Sequence, residues 1–136
     1  DAFGVGTKIG VSADAPYLDV VYKLVKMNDR PVRKLSSRKQ TLAGEKQVFR
    51  AYDDHGQFAE DIIGLRDETI DDATPLLSGV MRQGKPVGTH PTLAEIQAYF
   101  KSNFDALPDK YKSTHTRHRY PVGLSERLIL LQNSVE

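Results

Sequence analysis

Cysteine is absent from this 136-residue chain, which excludes a disulfide framework and any thiolate metal centre. No basic-then-apolar leader opens the sequence and no long apolar run interrupts it, so nothing in it suggests export or membrane insertion. The expectation is a cytoplasmic protein. Two catalytic signatures are also missing. There is no Gly-x-x-x-x-Gly-Lys-Ser/Thr loop to cradle a nucleoside triphosphate, and no Gly-x-Ser-x-Gly elbow to present a nucleophilic serine. The first residue is Asp1 rather than methionine and stands at the head of an apolar glycine motif. This reads as part of a longer polypeptide or a proteolytic remnant.

What is present is an ordinary balance of 39% hydrophobic and 27% charged residues, enough for one domain with a core. The net charge of +1 conceals a segregation. Residues 1–50 hold 10 Lys and Arg against 5 Asp and Glu, residues 51–109 hold 4 against 11, and residues 110–136 hold 5 against 2. A basic first third facing an acidic middle is expected to pair internally or stay solvated. The alternative is a non-catalytic β-rich domain that binds an acidic partner or nucleic acid through the basic third.

The pattern predicts an α+β chain, β-rich first and helical last. Asp1 to Val11 reads as a strand and a glycine-rich turn. Val20, Val21, Tyr22 and Val25 favour a strand over Tyr17 to Asn28, Asn28-Asp29-Arg30-Pro31 supplies a turn, and a second strand is expected at Val32 to Leu35. Ala43-Gly44 predicts a turn. Strands follow at Gln47 to Tyr52 and Phe58 to Leu65 around the polar break Asp53-Asp54-His55-Gly56. After an acidic loop from Asp67 to Ala73, Leu76 to Met81 and Lys85 to Val87 are expected to flank Arg82-Gln83-Gly84 as a short hairpin. Thr92-Leu93-Ala94-Glu95 is a capping-box pattern, and Leu93, Ile96, Phe100 and Phe104 recur at helical spacing until Leu107-Pro108. A second helix is expected from Ser125, with Leu128 and Leu131 on one face.

Candidate chemistry is sparse. Gly4-Val5-Gly6-Thr7 follows a short apolar stretch, where glycines allow close approach of an anion and the backbone amides and the Thr7 hydroxyl can donate to phosphate oxygens. A plain tight turn explains the same residues. Lys8 and the cluster Arg33, Lys34, Arg38, Lys39 and Lys46 could neutralise diphosphate or a nucleoside triphosphate, but read first as a solvated basic hairpin. His55, His90, His115 and His118 lack a carboxylate or thiolate to complete a ligand set and are expected at the surface. The pairs Asp53-Asp54 and Asp71-Asp72 point their carboxylates apart on extended backbone and read as solvated rather than as magnesium ligands. Phe3, Tyr17, Tyr22, Phe49 and Tyr52 are expected in core or interface positions. No catalytic residue and no metal ligand is assigned.

Several blocks in fixed order carry a resemblance over nearly the whole chain. They are Phe3-Gly4-Val5-Gly6-Thr7, Asp14-Ala15-Pro16, Val21-Tyr22-Lys23-Leu24-Val25, Arg30-Pro31-Val32 with Lys34-Leu35-Ser36, and Lys46-Gln47-Val48-Phe49-Arg50. Thr74-Pro75-Leu76-Leu77, Gly84-Lys85-Pro86-Val87, Leu93-Ala94-Glu95-Ile96 and Tyr120-Pro121-Val122-Gly123-Leu124-Ser125 continue it. Together they resemble the C-terminal part of the nicotinate phosphoribosyltransferase family. The resemblance implies a type II phosphoribosyltransferase, an α/β-barrel enzyme of NAD biosynthesis. That enzyme joins nicotinate to 5-phosphoribosyl 1-diphosphate with ATP hydrolysis and Mg2+, as a cytoplasmic homodimer without membrane or nucleic-acid partners. Residues 1–11 would then be the last barrel strand and phosphate loop, 12–90 a β-rich region and 91–136 a C-terminal helical region. Gly4, Gly6 and Thr7 would receive the 5′-phosphate of the ribosyl donor and of the product. The remaining active-site groups would lie upstream, on another part of the same protein, so that neither Mg2+ nor ATP would bind this chain alone and the chain would be inactive by itself.

Overall fold

The computed structural model describes residues 22–37 and 39–135. The expected strand and turn at Asp1 to Val11 lie outside these residues, as does the start of the expected Tyr17 to Asn28 strand.

The centre of the fold is a long antiparallel pair, β3 (Lys46–Tyr52) and β4 (Phe58–Leu65), which agrees closely with the two strands read from the sequence. Asp53 closes the turn between them. Its carboxylate accepts from the backbone N–H groups of His55 and Gln57 at 2.9 and 2.8 Å, and Gly56 supplies φ +74°. On one side β5 (Ala73–Pro75) pairs with β3, and on the other β8 (Val122–Leu124) runs parallel to β4, giving the order β5-β3-β4-β8. The sequence reading contained neither edge strand.

Helix α3 (Glu126–Ser134) follows β8 directly and packs on β4. Ser125 caps it, accepting from the Leu128 N–H at 3.1 Å. The Ser125 hydroxyl in turn donates to Glu68 at 2.8 Å, and the same carboxylate oxygen accepts from the Leu65 N–H. One side chain thereby ties the end of β4 to the start of α3. Leu128 is fully buried and Phe49 and Phe58 nearly so, forming with Ala43 the apolar core among the described residues. Gly64 keeps this core closed. A Cβ there would stand 3.0 Å from the Phe49 ring and 2.5 Å from the Glu68 carboxylate. Gly44 combines φ +84° with a space that Leu131 fills to 2.7 Å from where a Cβ would stand.

The first hairpin is real but displaced. Its strands are β1 (Lys26–Met27) and β2 (Arg30–Pro31), not a pair ending at Leu35. Asn28 and Asp29 both adopt positive φ, 47° and 63°, so two residues make the whole turn. Arg30 and Pro31 are strand in place of turn, and Val32 to Leu35 are irregular. The second hairpin, β6 (Met81–Arg82) and β7 (Lys85–Pro86), turns within the expected tip, but Arg82 pairs with Lys85 as strand, leaving Gln83-Gly84 as the turn, and the arms are two residues each rather than reaching back to Leu76.

Helix α1 (Leu93–Ala106) carries the complete capping box. The Thr92 hydroxyl accepts from the Glu95 N–H at 3.3 Å, and Glu95 accepts from the Thr92 N–H at 2.7 Å. It ends at Leu107, ahead of Pro108, after which α2 (Asp109–Lys112) adds one turn. Yet α1 buries none of its residues. Leu93 is 71% exposed, Phe100 66% and Phe104 45%. Among the described residues only the Lys112 ammonium, 5.3 Å from the Phe104 ring centroid, lies over its apolar stripe.

Candidate functional site

The residues singled out for phosphate, Gly4, Gly6 and Thr7, lie outside the described residues, together with Lys8 and Arg38. The rest of the basic cluster can be placed. Lys46 is structural. Its ammonium donates to the carbonyls of Leu42 and Gly44, and burial pulls it below the usual lysine value. Residues 34 and 41 face each other, the Thr41 N–H donating to the Lys34 carbonyl at 3.2 Å and the Lys34 N–H to the Thr41 hydroxyl at 2.9 Å. The loop between them tightens where the Lys39 N–H donates to the Ser36 carbonyl.

This loop leans against α3. The Ala43 N–H donates to Gln132 Oε1 at 2.7 Å, and Gln132 Nε2 donates back to the Ala43 carbonyl at 3.2 Å. That amide-to-backbone clasp fixes the gap between loop and helix as a cavity of about 460 Å³, walled by Arg33, Lys34, Thr41, Leu42, Ile129 and Asn133 among others. Arg33 also lines two neighbouring cavities, and its Nε is buried with no acceptor. Nothing in local sequence signals that Gln132 and Asn133 share a cleft with residues some ninety positions earlier. Charged clusters are visible in a sequence, but their opposite walls are not.

A second polar assembly spans the sheet. Arg50 and Asp61 are cross-strand partners, with Nε and Nη2 each 2.8 Å from a carboxylate oxygen. The hydrogen bond to Asp61 raises the Arg50 pKa. The guanidinium also lies 4.1 Å from the centroid of the Phe58 ring. Tyr120 donates to Asp61 at 3.3 Å and packs edge-on against Tyr111. Burial, reinforced by the Asp61 charge, pushes the Tyr120 hydroxyl up to about 12. The assembly locks β3, β4 and the chain entering β8 together, with Arg50 Nε and Nη2, both Asp61 carboxylate oxygens and the Tyr120 hydroxyl bonded within it. It is a fastener rather than a reaction centre.

The remaining candidates are at the surface. His55, His90, His115 and His118 are exposed, and the Ser113 hydroxyl organises the turn carrying His115 by accepting from its N–H at 3.3 Å. Asp53 shapes a turn, while Asp54, Asp71 and Asp72 are exposed. Among the described residues no three His, Asp or Glu side chains come together to hold a metal ion. Phe49 is core as expected, whereas Tyr22 is 86% exposed.

Comparison with known proteins supplies what this geometry leaves open. Residues 69–132 match the nicotinate phosphoribosyltransferase C-terminal domain. A nicotinate phosphoribosyltransferase of Mycobacterium tuberculosis is 40% identical over 131 residues, covering 95% of this chain and 28% of that protein. The human nicotinate phosphoribosyltransferase is 30% identical over 159 residues, covering 99% of this chain and 30% of that protein. The crystal structure of human nicotinic acid phosphoribosyltransferase superposes with a TM-score of 0.71 at 27% identity, over 84% of this chain and 26% of that one. The chain therefore spans less than a third of the length of these relatives. The C-terminal-domain match, the whole-chain identity and the shared fold agree on one assignment: this chain belongs to the nicotinate phosphoribosyltransferase family.

Proposed function

We propose that this chain is the C-terminal part of an enzyme that joins nicotinate to 5-phosphoribosyl 1-diphosphate, releasing nicotinate mononucleotide and diphosphate in NAD biosynthesis. The observation that carries the reading is the 40% identity to the Mycobacterium tuberculosis enzyme sustained across 95% of the chain. Coupling to ATP hydrolysis, a requirement for Mg2+, a homodimeric state and a cytoplasmic location belong to the same proposal. In the same proposal, metal and ATP meet the enzyme on parts of it outside this chain.

Within such an enzyme Gly4, Gly6 and Thr7 would hold the 5′-phosphate through backbone N–H groups and a hydroxyl, which needs no dedicated cation because oriented amides supply partial positive charge. The sheet would serve as a rigid platform at the edge of the barrel. The bare apolar face of α1 supports a role as docking surface for the rest of the enzyme, since a helix of 14 residues with no buried side chain has little reason to persist in water. The reading also entails that these 136 residues alone are inactive, because one strand cannot close a barrel.

The test is formation of nicotinate mononucleotide from nicotinate and the phosphoribosyl donor by a polypeptide of the relatives' full length. Product is expected from that polypeptide and none from the 136-residue chain. Gly6→Val in the long form should raise the KM for the phosphoribosyl donor by obstructing backbone approach. An unchanged KM removes Gly6 from the site, and no product from the long form removes the reading.

A further inference from the structure

We propose that the outer edge of β8 pairs with an extended segment of the same protein that lies outside these 136 residues, so that the sheet continues by a further strand. The inference rests on the reading that this chain is the C-terminal part of a longer enzyme.

The two edges of the sheet are finished differently. On the β5 edge, Thr74 pairs with Arg50 and the Leu76 N–H donates to the Val48 carbonyl at 2.8 Å, so the alternate residues Ala73 and Pro75 turn outward. Neither offers a free donor. The Ala73 N–H donates to the Ile70 carbonyl at 3.3 Å, and Pro75 has no N–H. On the opposite side of the sheet, past the end of β8, the Leu65 N–H of β4 is taken by the Glu68 carboxylate.

The edge of β8 is left open. The Asp61 N–H donates to the Pro121 carbonyl at 3.1 Å and the Ser125 N–H to the Ile63 carbonyl at 3.0 Å, and the parallel register turns the polar groups of Gly123 toward β4 between them. Val122 and Leu124 therefore aim their N–H and carbonyl groups away from β4, and among the described residues no strand pairs with them. Neither proline nor a charged side chain lies within β8 to guard the edge. Val122 is 59% exposed, and nothing stands within 4 Å of where a Cβ on Gly123 would be. A cavity of about 420 Å³ walled by Glu60, Arg119, Tyr120, Pro121, Val122 and Gly123 opens beside the strand. An added strand gains backbone hydrogen bonds from this edge and seats alternate side chains against Val122, Leu124 and the cavity.

The size of the edge and the length of the relatives decide the occupant. Three residues offer too few hydrogen bonds to hold a separate molecule against its lost freedom of motion. A segment of the same polypeptide is already concentrated at the edge, and the chain spans less than a third of the relatives' length, which leaves most of the protein to supply it.

The experiment is hydrogen exchange at single-residue resolution on the 136-residue chain and on a polypeptide of the relatives' full length, the latter also assayed for nicotinate mononucleotide. Gly123 is expected to be protected in both. The Val122 and Leu124 amides should exchange freely in the short chain and slow by about tenfold or more in the long one, the worth of a backbone hydrogen bond. Val122→Lys should leave the urea midpoint of the short chain unchanged and lower that of the long form. Free exchange of both amides in a long form that makes product overturns the inference and leaves the transferase reading standing. Protection of both in a long form that makes no product does the reverse. Protection in the short chain also overturns the inference, assigning a partner within the chain where it is independent of concentration and a second copy where it grows with concentration. So does an equal effect of Val122→Lys on both forms.

Discussion

The sheet with α3 and the stretch from Leu77 to Phe104 obey different rules. In the sheet, Phe49, Phe58 and Leu128 are buried, and Arg50, Asp61, Glu68, Ser125 and Gln132 each bond to residues distant in sequence. In the second region Leu77, Val80, Met81, Val87, Leu93, Tyr99 and Phe100 are all more than half exposed. Among the described residues only its first is tied to the sheet, the Leu77 N–H donating to Gln47 at 2.8 Å and the Leu77 carbonyl accepting from the Gln47 amide at 2.9 Å. Beyond it the order is local: a two-residue turn, a capping box, a Lys101–Asp105 pair at 2.6 Å, and Phe100 stacked on Phe104 at 5.8 Å. Local interactions of this kind each contribute a few tenths of a kcal/mol to about 1 kcal/mol. Burial of large side chains contributes several times as much. One region carries its own stability, and the other has the form of an element awaiting a surface.

The sharpest way to break the comparison is to cut into each region in turn. Leu128→Ala should destabilise the chain by about 2–5 kcal/mol in urea denaturation, since a fully buried leucine leaves a cavity. If it costs no more than a surface substitution, the sheet is not the cohesive half. The fastener on that half is expected to show in alkali. The folded state holds the Tyr120 proton more tightly, near 12 against about 10 when unfolded. Its contribution is therefore fully present below about pH 10 and is lost as pH rises toward 12. Tyr120→Phe should flatten stability across that window. An identical alkaline fall in both proteins would remove Tyr120 as the cause.

Smaller effects are expected on α1. Thr92→Ala should cost about 1 kcal/mol of local helix stability, read as faster hydrogen exchange in α1 with β4 unaltered. Phe100→Ser should change the urea stability of the isolated chain by less than about 0.5 kcal/mol, as at an uncovered surface position. A large loss from Phe100→Ser would show that the stripe is already packed.

Legibility in the sequence follows the same division. The strands β3 and β4, the hairpin tip at Gln83-Gly84, and the caps of α1 and α3 were readable because alternation, turn residues and capping residues act within a few positions. The first hairpin was misplaced because Asn28 and Asp29 can each take positive φ, which let a two-residue turn replace the four-residue one. The strands β5 and β8 are three residues each and exist only because β3 and β4 offer open edges. Parallel pairing of β8 with β4, about sixty residues apart, leaves no local trace. Of the cleft, Arg33 and Lys34 were visible as part of a charged cluster. The wall formed by α3 was not, because Gln132 reaches Ala43 only through the tertiary fold.

The most direct measurement is native-state hydrogen exchange on the isolated 136-residue chain and on a polypeptide of the relatives' full length. The account expects β4 amides to be protected in both. Those of α1 should exchange as a nearly free helix in the short chain and become protected in the long one. Protection of α1 equal to that of β4 in the short chain, or no gain in the long one, would contradict it.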